Sequence, residues 1–235
     1  MTTWSFYRRQ VELVRNTFNN LDSGKRGKVL DAAVDEFAEY GFSSASMNRI
    51  VQRLGIAKGS LFQYFGSKEG LFRFVFEHAV DLVRQSLRQV KRESDDGDCF
   101  ERIYRSLLAG IDFIDRHPRV YQIYLKMLFQ ENFPVRAQFL QQVRLFSVEY
   151  LTPLVEDGIA HGELRPDLDV AMTAFYLDAL MDRFLQAYCV SYVDAGTGFY
   201  QASPEQLQHR AREFVRMLRQ GLGSQPLSQS CSLQG

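Results

Sequence analysis

The chain has 235 residues, 46% hydrophobic and 24% charged, with a formal net charge of zero. That balance suits a folded protein with a sizeable core, and it excludes both a disordered polyelectrolyte and a chain devoted wholly to nucleic acid. No apolar run approaches the roughly 20 residues that cross a bilayer, and the opening MTTWSFYRRQVELVRN has no secretory pattern, so residence in the cytoplasm without membrane attachment is expected.

Helical periodicity dominates the chain and strand signals are nearly absent, which predicts an all-α fold. Residues 1–24 form an extra N-terminal amphipathic helix with Trp4, Tyr7, Val11, Val14, Phe18 and Leu21 on one stripe, stopped at Gly24. Such a stripe packs on the rest of the protein or on a partner subunit.

Residues 25–72 hold three short helices and the start of a fourth. Val29, Leu30, Ala33, Val34 and Phe37 line the first, which Gly41 closes. SMNRIVQRLG is the second, with Ser46 at its N-cap and Gly55 at its end. KGSLFQYF is the third, barely two turns long, and Ser67 caps a longer fourth helix.

A core helix needs length and a continuous apolar stripe, and KGSLFQYF has neither. Two helices joined by a glycine turn, the second short and polar-faced, make a helix-turn-helix. Ile50, Val51, Leu54, Leu61, Phe62 and Phe65 are expected to pack inward and fix the angle of the third helix. Its N-terminal residues then face a major groove about 12 Å wide. Gly59 lets the backbone approach, while Lys58, Ser60, Gln63 and Tyr64 supply polar groups. Lys68 opens the fourth helix, where free N–H groups favour a phosphate. From Ser46 to Arg73 five basic residues stand against Glu69 alone, so the neutral total hides a locally basic segment.

Residues 73–222 are read as a second helical domain and 223–235 as a disordered tail. The acidic SDDGD around Asp95 is a surface loop. Pro153 should kink a long helix or mark an offset in it, and the segment from Asp169 to Val193 is apolar around much of its circumference, so it should be buried on two sides. Ser203 or Pro204 starts the last helix. The cysteines, Cys99, Cys189 and Cys231, and the four histidines are scattered without metal-ligand spacing. No metal or cofactor is expected. With no Gly-rich phosphate loop, HExxH, GxSxG or paired carboxylates, neither is an enzyme.

VLDAAVDEFAEYGFSSASMNRIVQRLGIAKGSLFQYFGSKEGLF resembles the DNA-binding domain of the TetR family of bacterial repressors. The likeness runs through Ala32, Ala33, Phe37, Gly41, Phe42, Ser46, Ile50, Leu54, Gly55, Ile56, Gly59, Leu61, Tyr64, Phe65, Lys68, Glu69 and Leu71. It implies base contacts from around Asn48, Arg49, Lys58, Gly59 and Ser60, and phosphate contacts from Ser46, Tyr64 and Lys68. Ala45 stands where the family often has threonine, Ala57 where a capping serine is common, and Phe62 where a tyrosine is frequent. The resemblance also implies a transcriptional regulator, usually a repressor, with a second domain that dimerises and encloses an effector pocket.

One short helix reads too few base pairs, so a homodimer on a pseudo-palindromic double-stranded DNA operator is expected. The interface candidates are the helices around Asp169–Val193 and Pro204–Leu218. For a small hydrophobic effector the candidate residues are Tyr104, Tyr121, Tyr124, Phe146, Tyr150, Phe175 and Asp178. Buried charge needs a partner, so Asp178, with Asp182 and Arg183, bonds across the dimer interface, faces a polar ligand group, or is simply exposed. The alternative reading is a helical DNA-binding architectural or scaffold protein without an effector.

Overall fold

The computed structural model describes residue 18 and residues 22–93, 97–129 and 136–223, without the side chains of residues 58, 93, 138, 139 and 142–148. Among the described residues ten helices follow in order: α1 Ser23–Ser44, α2 Met47–Leu54, α3 Lys58–Phe65, α4 Lys68–Glu93 and α5 Cys99–Arg116; then α6 Pro118–Phe129, α7 Arg136–Ala160, α8 Val170–Cys189, α9 Ser191–Asp194 and α10 Pro204–Leu222. Among the described residues the only β-type pairing is an isolated bridge between Leu164 and Gly223.

Two compact units organise these helices. One comprises residues up to Val83 together with Arg116–Gln141; the other comprises Arg84–Asp115 and residues from Gln142 onward. This division departs from a simple cut after residue 72, because α6 packs on α1 although some 75 residues separate them in the chain.

In the first unit, Ala33, Phe37 and Ile50 are buried with Leu61, Leu71, Phe72 and Val75. Phe37 and Phe72 meet edge to face at 5.0 Å, a geometry that aromatic rings favour beyond simple area burial. Gly41 was expected to end α1. The chain instead bends there with φ 68° and resumes helical turns to Ser44, a conformation glycine adopts without steric cost. Of the N-terminal amphipathic stripe, only Phe18 lies within the described residues. It is buried, with its ring 5.0 Å from those of Phe65 and Phe74 and 5.8 Å from Tyr64.

The second unit has a larger core. Phe100, Ile103, Leu154, Leu164 and Leu177 form one cluster, while Leu107, Ile111, Phe184, Leu207 and Ala211 form another. Asp98 accepts the Glu101 N–H at 2.8 Å at the start of α5, and its other oxygen accepts from Arg219 of α10 at 2.6 Å. A capping box of Ser203 and Gln206, with Pro204 in the first turn, starts α10 as its sequence predicts. Pro153 is absorbed within an unbroken α7 rather than marking an offset.

The helix expected from Asp169 to Val193 ends at Cys189, and a short α9 follows. The chain leaves the helical region at Val190, with φ −128° and ψ 108°, and the turn at Asp194 then ends α9. Asp194 accepts the Phe199 N–H at 2.7 Å, the Gly198 N–H at 3.3 Å and the Thr197 hydroxyl at 2.8 Å. Such a local acceptor offers the backbone an alternative to helix. Gly223, expected in a disordered tail, is buried and bonds the Arg219 carbonyl; the rest of that tail lies outside the described residues. Among the described residues no helix is long and apolar enough to cross a membrane.

Candidate nucleic-acid interface

The short helix α3 is held by its neighbours on both sides. α2 ends at Gly55, whose left-handed φ of 64° turns the chain sharply. Ile50 and Val51 of α2 and Leu61 and Phe65 of α3 are buried, pinning the two helices together. At the far end Ser67 caps α4 by accepting the Gly70 N–H at 3.1 Å. A Cβ on Gly70 would lie 2.0 Å from the Phe65 carbonyl oxygen, so only glycine permits this close α3–α4 junction.

What α3 presents outward follows from its wheel. Gly59, Phe62 and Gln63, at positions i, i+3 and i+4, form the exposed face; Ser60 and Tyr64 are half-buried. Phe62 was expected to pack inward, yet it is 44% exposed. On eight residues Leu61 and Phe65 already fill the inward arc, and Phe62 falls roughly 100° from Leu61 on the helix wheel. The Lys58 side chain lies outside the described residues. Ala57 occupies the N-cap of α3 and, having no polar side chain, leaves the first N–H groups without a side-chain cap.

Asn48 is exposed on α2. Ser46 sits at the α2 N-cap, but its hydroxyl makes no capping bond. Its N–H donates to Glu36 Oε1 at 2.7 Å. Glu36 is only 5% exposed and also accepts from Arg49 Nε at 2.9 Å and from Arg49 Nη2. Arg49 Nη2 further donates to the Ser44 carbonyl at 2.7 Å, with the guanidinium over the Tyr40 ring. Arg49, expected at a base edge, therefore has an internal role: it neutralises a buried carboxylate. Arg53 is similarly engaged with Asp35 at 3.0 Å.

Lys68 donates to the Ser43 and Ala45 carbonyls at 3.0 and 3.1 Å and lies over the Phe42 ring. Two of its three donors thus close the α1–α2 turn, and one remains for a phosphate. Glu36 is the residue that sequence reasoning missed. A carboxylate beside Ala33 and Phe37 on the buried face of α1 was the available signal, since it demands a cationic partner.

The residues expected around an effector fall in both units. Tyr104, Tyr150, Phe175 and Asp178 lie in the second unit, and Tyr121 and Tyr124 in the first. Tyr121 and Tyr124 pack against each other on α6 with centroids 5.6 Å apart. Tyr104 and Tyr150 are half-buried, and Tyr150 shares a 3.0 Å hydrogen bond with Ser106. The Phe146 side chain lies outside the described residues. Phe175 is half-exposed and sits with Met172, Tyr176 and Leu180 on an outward apolar stripe of α8. Asp178 is half-buried beside that stripe. Asp182 accepts from Gln186 at 2.7 Å, and Arg183 donates to the Val193 carbonyl at 3.1 Å.

The α8 segment is thus buried on one face within the chain, not on two. Burial pushes the thiols of Cys99 and Cys189 up to about 12, which leaves both protonated and weakly nucleophilic. Among the described residues no group of three or more His, Cys, Asp or Glu could hold a metal ion.

A fixed pair of helices with a short, uncapped, outward-facing second member defines a helix-turn-helix DNA-binding regulator. Residues 29–75 match the family described as bacterial regulatory proteins, tetR family, and residues 97–223 match the tetracyclin repressor-like C-terminal domain. The chain belongs to the TetR family of transcriptional regulators, a class that is not enzymatic. It is 34% identical over 161 residues to the HTH-type transcriptional repressor NicS of Pseudomonas putida, covering 65% of this chain and 70% of that protein. The crystal structure of a TetR family regulator from Chloroflexus aurantiacus J-10-FL superposes with a TM-score of 0.64 at 30% identity, covering 89% of this chain and 98% of the other. FadR of Bacillus subtilis, solved in complex with stearoyl-CoA, shares the fold at 18% identity, with a TM-score of 0.66 over 83% of this chain and 97% of that one.

Proposed function

We propose that the chain is a cytoplasmic homodimeric repressor that holds a pseudo-palindromic operator and releases it when a small, largely apolar or aromatic ligand binds. The observation that carries the DNA-reading half is the open space over Gly59. Among the described residues, no heavy atom beyond its chain neighbours and its own helix backbone lies within 4 Å of its Cβ position, and its φ is not in the left-handed region. Glycine inside a helix costs roughly 0.5–1 kcal/mol relative to alanine, and nothing within the described molecule requires it there. A groove wall approaching from outside does. Gln63 beside it, the exposed Asn48 and the uncapped N–H groups of α3 supply donors for bases and phosphates.

The apolar stripe of Met172, Phe175, Tyr176 and Leu180 on α8, with the exposed Met217 on α10, supports dimerisation. A two-fold pair reads two half-sites, whereas one α3 reads too little sequence. The half-buried rings of Tyr104 and Tyr150 in the second unit support an apolar or aromatic ligand. Stearoyl-CoA, bound by FadR, presents an apolar acyl chain on a charged carrier and is a first probe for the apolar part of such a ligand. The helix α4 contributes residues to both units, so a ligand preferring one α4 position shifts the population away from the DNA-competent state.

Selecting bound duplexes from a random pool at low salt tests the reading. The expected product is a two-fold site with half-sites one helical turn, or a multiple of it, apart. A chain that retains no duplex, or that retains all duplexes equally, overturns it.

A further inference from the structure

Among the described side chains of α3, the ring of Phe62 is the large apolar group left exposed. It stands at i+3 from Gly59 and next to Gln63, so these three positions form the outward face of the helix. Phe62 is 44% exposed, while its neighbours Leu61 and Phe65 are buried. A benzyl group has no hydrogen-bond donor, so it cannot hold a phosphate. Its edge is apolar, and it belongs to the helix that the proposed DNA-binding reading sends into the major groove.

Only one base presents an apolar group there: thymine, through its 5-methyl, which side chains such as phenylalanine meet by contact alone. Gly59 sharpens the argument. With no side chain one turn earlier on the same face, the helix settles deeper, which brings a ring on Cβ of residue 62 to the depth of base edges rather than of the backbone.

We infer that Phe62 is a specificity-determining residue that reads the 5-methyl group of a thymine in each operator half-site. The inference rests on the DNA-binding reading above and names one of its contacts. Burying one methyl group is worth about fourfold in affinity per half-site. The contact is uncharged and leaves the salt dependence of binding unchanged.

The test uses the full chain and the duplex obtained by selection, with each thymine replaced in turn by deoxyuridine, which removes only the methyl group. At one thymine per half-site the wild type is expected to bind the substituted half-site about fourfold more weakly. Phe62→Ala, shown by its melting curve to be folded, is expected to bind both duplexes equally. Phe62→Tyr retains the ring and the methyl preference. A selected half-site without thymine overturns the inference, as does a wild type indifferent to every substitution. So does a Phe62→Ala protein that keeps the preference, because another residue then reads the methyl. A steeper salt slope in Phe62→Tyr with no thymine preference in wild type points to a phosphate position and also overturns it. In each of these outcomes the chain still binds its duplex, so the DNA-binding reading stands; only loss of all binding removes both.

Discussion

Glu36 shows how a single buried carboxylate organises the head of this molecule. It accepts the Ser46 N–H that begins α2 and two nitrogens of Arg49, so one side chain fixes both the start and the side of that helix. Replacing Glu36 by alanine leaves the Ser46 N–H without its acceptor and Arg49 without its counter-charge. A loss of about 1–3 kcal/mol in unfolding free energy is expected, read from the urea midpoint, with Glu36→Gln falling between the two. Duplex affinity should fall as well, because α2 carries α3. An Arg49→Lys protein that binds DNA normally while losing stability would show that Arg49 acts through the fold rather than at a base edge.

Asp194 makes the residue argument dependent on pH. The Phe199 N–H first, then the Thr197 hydroxyl, hold its carboxyl below the usual carboxylate value. Because the folded value lies under the unfolded one, the stabilisation is complete above the unfolded value of about 3.9 and fades as pH falls through the folded one. The difference in stability between wild type and Asp194→Ala should therefore be constant near neutrality and shrink below about pH 4. A difference that grows on acidification would contradict this assignment.

At the scale of elements, two glycines in adjoining helices separate structural need from interface need. Gly70→Ala drives a Cβ to 2.0 Å from the Phe65 carbonyl oxygen and must open the α3–α4 junction. It should lower both melting temperature and DNA affinity. Gly59→Ala meets no described residue beyond its own helix, so it should leave stability equal or raise it by roughly 0.5–1 kcal/mol, yet weaken duplex binding. Circular dichroism melts with fluorescence anisotropy on one duplex distinguish the two. Equal effects of both substitutions on both measurements would remove the case for an external approach at Gly59.

The same helices show what is legible from sequence. α2, its end at Gly55 and the cap of α4 at Ser67 are local chemistry, so neighbouring residues suffice to place them. The Glu36–Arg49 pair spans thirteen positions and two helices, and nothing in either local pattern names the partner. Phe62 was misplaced because eight residues carry too little periodicity to define an inward arc. The break at Val190 escaped because the apolar pattern runs through it unchanged, while the stop at Asp194 rests on bonds to Gly198 and Phe199 further along the chain.

For the whole molecule the decisive surface is the outward stripe of α8. Met172, Phe175, Tyr176 and Leu180 recur at helical spacing, and each is at least 40% exposed in the single chain. An isolated exposed leucine is unremarkable, whereas four large apolar side chains along one helix mark an interaction face. The proposed homodimer would cover it by an isologous two-fold contact with the same stripe of a second copy. Replacing Phe175 and Tyr176 together by aspartate puts two desolvated charges at the centre of that contact. Neither ring contributes to the described core of its own chain, so the variant should fold and melt as one species. In analytical ultracentrifugation it is expected to sediment as a monomer. Its affinity for a two-half-site duplex should fall by tenfold or more, while its weak affinity for a single half-site stays unchanged, because α3 is untouched. A variant that remains dimeric would move the interface elsewhere, and one that is monomeric yet binds the full operator as wild type would show that DNA reading needs no second copy.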